Sequence, residues 1–586
     1  MDKSSSVLRS VCVLTGPVVY FCLLLAVLAA PLNAQTTSSW NGGTGNWSVS
    51  SDWNPSGVPN NIGSTTFSVN VTAPNSVVSM DVLNVAIDNL TLAAPNFLTI
   101  NAGNTLALVS GTSANYGTIT NKGAIVLLFG PNSGLLPTLN NYGSISGTGG
   151  LNTSPDGTFN NYGTFSGNFN NFNSVTNNGL LYSSGESQNN GALANSGTLV
   201  NNGTITQFSG VITNSVGGTI VNHGTLQNDS LLFNDGTIYN APGASIVNTD
   251  EVTGFFVNTG TIINAGGFNN ADAVFQGGTI DNLSSGSLIN QGINFLSVNT
   301  LNNAGTVTNF GRFAQFSAVT VTNSGTITNE GNGAQFFAGI LFNSGMVRNT
   351  VGATLSASFI NTGTVNNQGT LDSGPFTNFG RVKISDTGLF NVSTNYNQFA
   401  GSTVVNGTLT ASNGAIVNIL GGSLSGGGTV NGNVVMGGTM IAGTPHNPLT
   451  FNINGNYSQN ATGIFTELIS SKGNGLLNIS GTAALAPGAL LNIQLVGGYD
   501  PKNGTSFTIM DYGSEKGTFT ITDPYFDHGK QEWVVSSYAG GDGDDVVLTA
   551  EAAHVVTPEP CTMLLVGSAL LGMGGYAKRK KASRAR

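Results

Sequence analysis

A short motif of polar and apolar positions recurs through most of the chain. Its consensus is Asn-x-Gly-Thr-(Ile/Val/Leu)-x-Asn, as in residues 115–121, 195–201 and 303–309. Asn-x-Gly is typical of a turn, because glycine adopts positive φ freely and asparagine tolerates the left-handed conformation. The polar–apolar–polar run after the turn has the period of two that marks a short strand with one buried face. The motif therefore predicts many short strands separated by tight turns.

Two spacings coexist in these repeats and together predict the architecture. A step of six residues joins Asn115 to Asn121, and a step of about 20 joins Asn121, Asn141 and Asn161. Ordinary hairpins of such short strands would leave many exposed edges. Stacking the coils in parallel pairs every strand with the coil before and the coil after. The sequence therefore predicts an all-β chain folded as a parallel β-helix, or β-solenoid.

The apolar position of each repeat predicts the buried core. In-register asparagines should stack into amide ladders, as identical side chains do in cross-β stacks. The alternative, a disordered low-complexity chain, is disfavoured because the apolar position is so regular. The residues predicted to form a buried column are Ile119, Ile145, Phe165, Leu199, Ile205, Leu226, Ile238, Ile262, Val307, Ile327 and Val365.

Composition agrees with a stacked repeat and excludes several other classes. Only 8% of the 586 residues are charged, against about 25% in a typical globular protein. Identical charges stacked at each coil would repel one another. The net charge of −10 disfavours nucleic acid as a partner. Three cysteines in so long a chain exclude a disulfide-stapled scaffold.

Charge is distributed unevenly along the chain, and both termini differ from the acidic middle. Residues 35–577 hold nine basic and 26 acidic residues, a net charge of −17, whereas the last nine residues carry six cations. Residues 1–34 combine two basic residues, an apolar segment and a small-residue cleavage site. This predicts a secretory signal peptide with its apolar helix. The alternative is an uncleaved anchor, although the apolar segment is short for a membrane span.

The C-terminal segment, residues 551–586, has three consecutive parts. Pro558, Glu559 and Pro560 precede the uncharged, mostly apolar residues 561–577, and the basic residues follow. The apolar part predicts one transmembrane helix with its basic end in the cytoplasm. The three parts closely resemble the PEP-CTERM sorting signal of Gram-negative bacteria. A plain membrane anchor with a chance Pro-Glu-Pro is the alternative, and Cys561 stands where that family often has serine or threonine.

This resemblance implies a partner and a location. In that family an exosortase, a membrane transpeptidase-like enzyme, reads the motif and processes the protein. The resemblance also implies anchoring in the inner membrane during sorting, and then association with exopolysaccharide, the cell surface or the extracellular matrix.

Three tryptophans mark the start of the repeat region. Trp40, Trp47 and Trp53 predict an aromatic cap over the first coils, which would otherwise expose a strand edge. The alternative is a platform on which a sugar stacks. The segment resembles the first repeat of autotransporter-like β-helix proteins, and residues around 420–550 resemble an autotransporter passenger end without its translocator barrel. The predicted division is 35–95 for the cap and first coils, 96–420 for the repeat β-helix and 421–550 for the passenger-like region.

Two groups of acidic residues are candidates for metal binding or catalysis. Asp542, Asp544 and Asp545 lie in a match to the calcium-binding nonapeptide repeat. Such sites form between adjacent copies and only one copy is present, so an acidic turn is the main interpretation and no cofactor is predicted. A polysaccharide-active lyase or glycosidase would need paired carboxylates. The densest group, without a recognised spacing, is Asp511, Asp523, Asp527, His528 and Glu532.

The sequence therefore predicts a non-enzymatic, exported structural or adhesive protein. It would present asparagine, threonine and serine to exopolysaccharide or to neighbouring cells. A polysaccharide-active β-helix enzyme is the alternative from another class. A solenoid that binds ice or another ligand through Thr-x-Thr strands, such as the one at Thr306 and Thr308, is the third.

Overall fold

The computed structural model describes residues 34–130, 135–250, 253–293, 295–540 and 543–553. These residues form an all-β parallel β-solenoid, as predicted. The chain divides into two compact units. The first contains the described residues up to 310 and residues 314–318, and the second contains residues 311–313 and those from 319 onward. The predicted signal helix, the Pro558–Pro560 motif and the helix at 561–577 lie outside the described residues.

Helical structure is limited to two 3-10 turns within the described ranges, Ser50–Asp52 and Asp527–Gly529. Across these ranges, no helix has the length and apolar character needed to cross a bilayer.

Most strands contain four residues and follow one pattern. Thr118–Asn121 is typical: Ile119 and Asn121 are buried, and the two threonines between and before them are partly exposed. The strand starts after a glycine turn and ends at an asparagine, so each repeat of the motif supplies one strand and one corner. A step of six residues therefore moves the chain from one face of the solenoid to the next. A complete coil takes 16 to 26 residues, measured between consecutive stacked asparagines.

Three parallel faces build the first unit. Its first face consists of Ala34–Trp40, Thr65–Val71, Asn89–Leu92, Thr112–Asn115, Thr138–Asn141, Thr158–Asn161, Ser174–Asn177, Ala192–Asn195, Val211–Asn214, Leu231–Asn234, Phe255–Asn258 and Val274–Gln276. Its second face consists of Thr44–Asn46, Val77–Met80, Phe97–Ile100, Thr118–Asn121, Leu180–Ser183, Thr198–Asn201, Thr219–Asn222, Thr237–Asn240, Thr261–Asn264 and Thr279–Asn282.

The third face of the first unit completes each coil. It consists of Asn84–Ile87, Thr105–Leu108, Ala124–Leu127, Glu186–Asn189, Thr204–Gln207, Thr225–Asn228, Ser245–Asn248, Gly267–Ala271, Ser287–Gln291 and Thr306–Phe310. Longer strands that bend across two faces are Ser144–Thr153, Thr164–Asn171 and Phe295–Asn303. The short strand Trp53–Asn54 pairs antiparallel with Ala34–Trp40.

The second unit repeats this plan. One face holds Thr370–Ser373, Leu389–Val392, Thr408–Ala411, Thr429–Asn431 and Thr450–Asn454, and another holds Phe376–Asn378, Tyr396–Gln398, Ile416–Ile419, Asn433–Met436 and Tyr457–Gln459. The third holds Thr326–Glu330, Met346–Asn349, Thr364–Asn367, Arg381–Ile384, Ser402–Val405, Ser423–Gly426, Thr439–Thr444, Ile464–Ser470, Leu490–Leu495 and Thr520–Ile521. Strands that bend across two faces are Gln335–Asn343, Thr354–Asn361, Leu476–Leu485 and Ser506–Lys516, and Gln315–Asn323 has residues in both units.

Antiparallel strands interrupt and then close the second unit. The short strands Asn447–Pro448 and Gly473–Asn474 form small hairpins with their neighbours. Gln531–Gly540 and Gly543–Ala552 form a long hairpin, and Tyr525–Phe526 pairs with its first strand. Gly543–Ala552 also pairs antiparallel with Ser506–Lys516. The hairpin therefore supplies pairing along the last long parallel strand.

The predicted core residues are all buried, which confirms the apolar position of the motif. They do not form one column, however. Ile119, Ile145 and Phe165 stack in register on the second face of the first unit. Ile205 and Leu226 stack on its third face. The core therefore consists of parallel apolar columns, one behind each face.

The reason for the repeat glycines differs from the prediction. Gly143, Gly163, Gly179 and Gly197 do not have positive φ. A Cβ atom on any of them would lie only 2.1 to 2.2 Å from the carbonyl oxygen of the glycine one coil earlier. Stacked turns thus approach too closely for a side chain. The expectation of left-handed glycines in the motif was wrong, because close packing of successive corners sets the requirement.

Candidate ligand-binding faces

Buried asparagine ladders run along much of both units and fix the register of the outward side chains next to them. In the first unit each Nδ2 donates to Oδ1 of the asparagine in the next coil, at 2.6 to 2.9 Å. The same Nδ2 usually donates to a carbonyl three residues beyond that partner, as Asn141 does to Thr164 at 2.9 Å. The ladders run through Asn115, Asn141, Asn161, Asn177, Asn195, Asn214, Asn234 and Asn258; Asn201, Asn222, Asn240, Asn264, Asn282 and Asn303; and Asn228, Asn248, Asn270, Asn290 and Asn309.

The second unit contains equivalent ladders. They run through Asn323, Asn343, Asn361, Asn378 and Gln398, and through Asn329, Asn349 and Asn367. The predicted amide ladders are therefore confirmed. These ladder asparagines do not face a polymer, because their side chains are at most 2% exposed and satisfy buried backbone groups. Other residues must form any binding surface.

An exposed tyrosine stack lies at one corner of the first unit. Tyr116, Tyr142 and Tyr162 each follow a ladder asparagine, and 45 to 51% of each side chain is exposed. Consecutive rings lie 4.9 Å apart between centroids with an interplanar angle of 7°. The asparagine ladder fixes the register that stacks them. In the sequence, the stack is marked by the Asn-Tyr-Gly triplet repeated at 115, 141 and 161. The motif predicts only a turn at these positions.

Two polar grooves lie on the second unit. One, of about 250 Å³, is lined by Asp372, Ser373, Asn391 and Ser412 among others, and Nδ2 of Asn391 donates to Asp372 at 2.8 Å. The other, of about 440 Å³, is lined by residues including Gln368, Lys383, Asp386 and Asn406. Each groove contains one carboxylate, whereas glycosidases act through two.

The three predicted cap tryptophans pack against one another. Ring centroids of Trp40 and Trp53 are 5.0 Å apart, and those of Trp47 and Trp53 are 4.7 Å apart, in edge-to-face arrangements. Indole N–H groups donate to backbone carbonyls, Trp47 to Pro59 at 3.1 Å and Trp53 to Trp47 at 2.9 Å. No ring is more than 3% exposed. This packing favours the cap, because a sugar platform needs an exposed ring face.

The predicted acidic group is spread over several elements near the end of the second unit. Asp511 lies in Ser506–Lys516 and Glu532 in Gln531–Gly540. Asp523 is exposed in a loop, and Asp527 and His528 occupy the 3-10 turn at Asp527–Gly529 with positive φ. Among the described residues, no three His, Cys, Asp or Glu side chains converge to hold a metal ion.

The calcium candidates fall at the tip of the final hairpin. Asp542 lies outside the described residues, and the backbone of Asp544 pairs with Tyr512 while that of Asp545 pairs with Asp511. The strands there are antiparallel, which differs from the stacked parallel coils between which nonapeptide sites form. Pro558, Glu559 and Pro560 lie outside the described residues.

The Thr-x-Thr strands do not continue into extended threonine faces. Thr306 and Thr308 stack on Ser287 and Ile289 in the first unit. In the second unit, Thr326 and Thr328 stack on Met346 and Arg348. An apolar or charged side chain thus interrupts each face.

Comparison with known proteins adds no family assignment. No protein-family model matches the chain, and no curated protein is significantly similar to it.

Proposed function

We propose that this chain is an exported structural or adhesive protein that associates with exopolysaccharide at the cell surface or in the extracellular matrix. The observation that carries the proposal is the exposed tyrosine stack at Tyr116, Tyr142 and Tyr162. Pyranose rings in an extended chain repeat at nearly the interval of the coils. One solenoid corner thus presents one aromatic side chain per sugar.

Chemistry of the stack suits a sugar chain. Each tyrosine offers a half-exposed aromatic ring for the C–H groups of a sugar and a phenolic hydroxyl that both donates and accepts hydrogen bonds. The rings are held by the buried amide ladder beneath them, so little side-chain freedom is lost on binding. Stacking of the rings stabilises this corner by about 0.5–1.5 kcal/mol per pair, and the half of each side chain that stays exposed leaves apolar surface for a ligand.

Export and sorting belong to the same proposal. The signal peptide at 1–34 would direct the chain out of the cytoplasm, and the apolar helix at 561–577 would hold it in the inner membrane. Exosortase would then recognise Pro558, Glu559 and Pro560. The acidic, nearly cysteine-free body supports this assignment, since it tolerates an oxidising compartment without redox chemistry.

Binding of the purified full chain to a panel of neutral and acidic polysaccharides tests the proposal. We expect retention on at least one polymer and at least a tenfold loss when Tyr116, Tyr142 and Tyr162 are all changed to serine. The matched control changes Phe208, Val216 and Ile293 to serine, since these apolar side chains are at least as exposed in the same unit but are not stacked.

Two results would contradict the proposal. One is equal retention of the stack variant and the wild type on every polymer. The other is sustained cleavage of a polysaccharide that Asp523→Asn or Asp527→Asn abolishes, which would instead establish the enzymatic alternative.

A further inference from the structure

Basic side chains are rare in this chain, and three of them meet on one face of the second unit. Residues 35–577 contain only nine lysines and arginines. Arg348, Arg381 and Lys383 lie on the sheet made by Thr326–Glu330, Met346–Asn349, Thr364–Asn367, Arg381–Ile384 and Ser402–Val405. This five-strand sheet is called the basic face below.

Register places the three cations at regular positions. Arg348 pairs with Asn366, and Asn366 pairs with Lys383, so the arginine and lysine are two coils apart in one outward column. That separation corresponds to about 9.6 Å along the stacking direction. Arg381 lies two residues before Lys383 in the same strand, about 6.7 Å away, and occupies the neighbouring outward column.

The three cations are exposed and have no protein partner. Their side chains form no hydrogen bond or ion pair with any residue that the structure describes. On each of the five strands, the two outward-facing positions that follow the turn carry no carboxylate. Glu330 and Asp386 lie at the edge of the face, at the end of the first strand and in the turn after Lys383. Each cation lies opposite only uncharged residues on the neighbouring strands, so cross-strand ion pairing does not account for this arrangement.

A groove borders the basic face at Lys383. Its volume of about 440 Å³ suits a sugar ring, and its lining includes Gln368, Asp386 and Asn406. Oδ1 of Asn406 is buried and has no hydrogen-bond partner among the described residues. Amides and a carboxylate are suitable partners for sugar hydroxyls. The carboxylate of Asp386 would repel an acidic substituent, which directs that substituent towards Lys383 and Arg381.

We propose that the basic face binds an anionic polysaccharide, one whose sugars carry carboxylate or sulfate groups. Acidic groups on alternate sugars of an extended chain match the two-coil separation of Arg348 and Lys383, and a neighbouring sugar ring occupies the groove. This inference rests on the proposed function, association with exopolysaccharide, and specifies the class of polymer.

Charge elsewhere on the chain argues against nucleic acid as the occupant. Duplex DNA carries one negative charge per about 1.7 Å of its axis, so most of its phosphates would find no cation on this face. The remaining body is strongly acidic, since residues 35–577 carry a net charge of −17. A long polyphosphate would therefore meet repulsion beyond a short contact, whereas a polymer with sparse charges would not.

The test measures binding of the full chain to hyaluronate, a probe with a carboxylate on alternate sugars, and to dextran, a neutral one. The variant changes Arg348, Arg381 and Lys383 to glutamine. The matched control changes Lys122, Lys472 and Lys502 to glutamine, which removes the same charge from exposed positions elsewhere. We expect at least a tenfold loss of hyaluronate binding for the variant, less than a twofold loss for the control, and weaker wild-type binding at high salt.

The outcomes separate this inference from the proposed function. Equal losses in both variants, no loss in either, or equal binding of duplex DNA or anionic lipid vesicles to the basic face would overturn the inference. Binding to dextran but not to hyaluronate would overturn it while leaving the proposed function intact. If the chain bound neither of these polymers nor any other polysaccharide, the result would count against both proposals. Circular dichroism of each variant establishes that the solenoid has formed.

Discussion

The contribution of an asparagine side chain to stability depends on whether it is buried in a ladder or exposed to solvent. Asn201 and Asn202 are consecutive, yet the first is fully buried in a ladder and the second is exposed in the turn. Nδ2 of Asn201 donates to Asn222 and to the carbonyl of Thr225, both at 2.8 Å. Its Oδ1 accepts from the Gly203 N–H. Each of these partners is buried or partly buried and would lose a hydrogen bond with the amide.

Asn201→Ala should therefore lower the free energy of unfolding of the first unit by about 3 kcal/mol, since a buried polar group left without a partner costs about 1–3 kcal/mol. Asn202→Ala, the same chemical change one position later, should cost less than about 0.5 kcal/mol. Thermal unfolding monitored by circular dichroism compares the two. Equal shifts in midpoint temperature would show that the ladder does not stabilise the fold.

Glu467 is a buried acid that the proposed functions do not use. It lies in Ile464–Ser470, is 0% exposed, and neither carboxyl oxygen has a hydrogen-bond partner among the described residues. Burial raises the pKa of Glu467 well above its ordinary 4.5, while nearby Asn474 and Gly475 act weakly in the opposite direction. The carboxyl is therefore held neutral over an extended pH range above its ordinary pKa.

A pH dependence follows from this raised pKa. Above pH 4.5 and below the raised pKa, the folded chain binds more protons at Glu467 than the unfolded chain, so this group's contribution to stability falls as the pH rises. Glu467→Gln should gain stability relative to the wild type between pH 4 and pH 8, by up to about 1.4 kcal/mol per pH unit. Midpoint temperatures across this range measure the effect. Glu186→Gln, at an exposed position, should show no such trend, and a flat difference for both variants would refute the argument.

Turns between strands are constrained by the coil above and the coil below. The corner glycines pack against the carbonyl of the preceding corner, which leaves no space for a methyl group. At Gly179 an added Cβ atom would lie 2.1 Å from the carbonyl oxygen of Gly163. At Gly150, within Ser144–Thr153, an added Cβ atom would meet no atom within 4 Å.

These two glycines give a matched pair. Gly179→Ala should lower the free energy of unfolding by at least about 1–3 kcal/mol, because the stacked corners must separate. Gly150→Ala should be neutral or stabilising by about 0.4–1 kcal/mol, through the lower entropy of the unfolded chain. Thermal unfolding of both variants checks this, and a loss at Gly150 as large as that at Gly179 would contradict it.

The extent to which the fold follows from the sequence differs between elements. Ile119 and Ile205 were predictable as buried, because alternation alone fixes which side of a short strand faces the core. Their assignment to separate columns was not, because coils of 16 to 26 residues shift the register unpredictably. For the same reason the sequence did not indicate that Arg348 and Lys383 share a column. Glycine motifs suggested positive φ because close approach between coils has no local signature.

Distribution of charge over the whole molecule gives the proposed sorting step a measurable consequence. The exported body is acidic and the segment after residue 577 carries six cations. Processing at the Pro558–Pro560 motif would remove the apolar helix and these cations, leaving a smaller and more acidic protein that no membrane segment retains.

Intact mass and fractionation of the natural host measure this for the wild type and for a variant lacking residues 558–560. We expect the variant to keep its full C-terminus and remain in the membrane fraction. A control that deletes the exposed hairpin tip Ser471-Lys472-Gly473 instead should be processed normally. Identical mass and location for wild type and motif variant would show that the motif has no role in sorting.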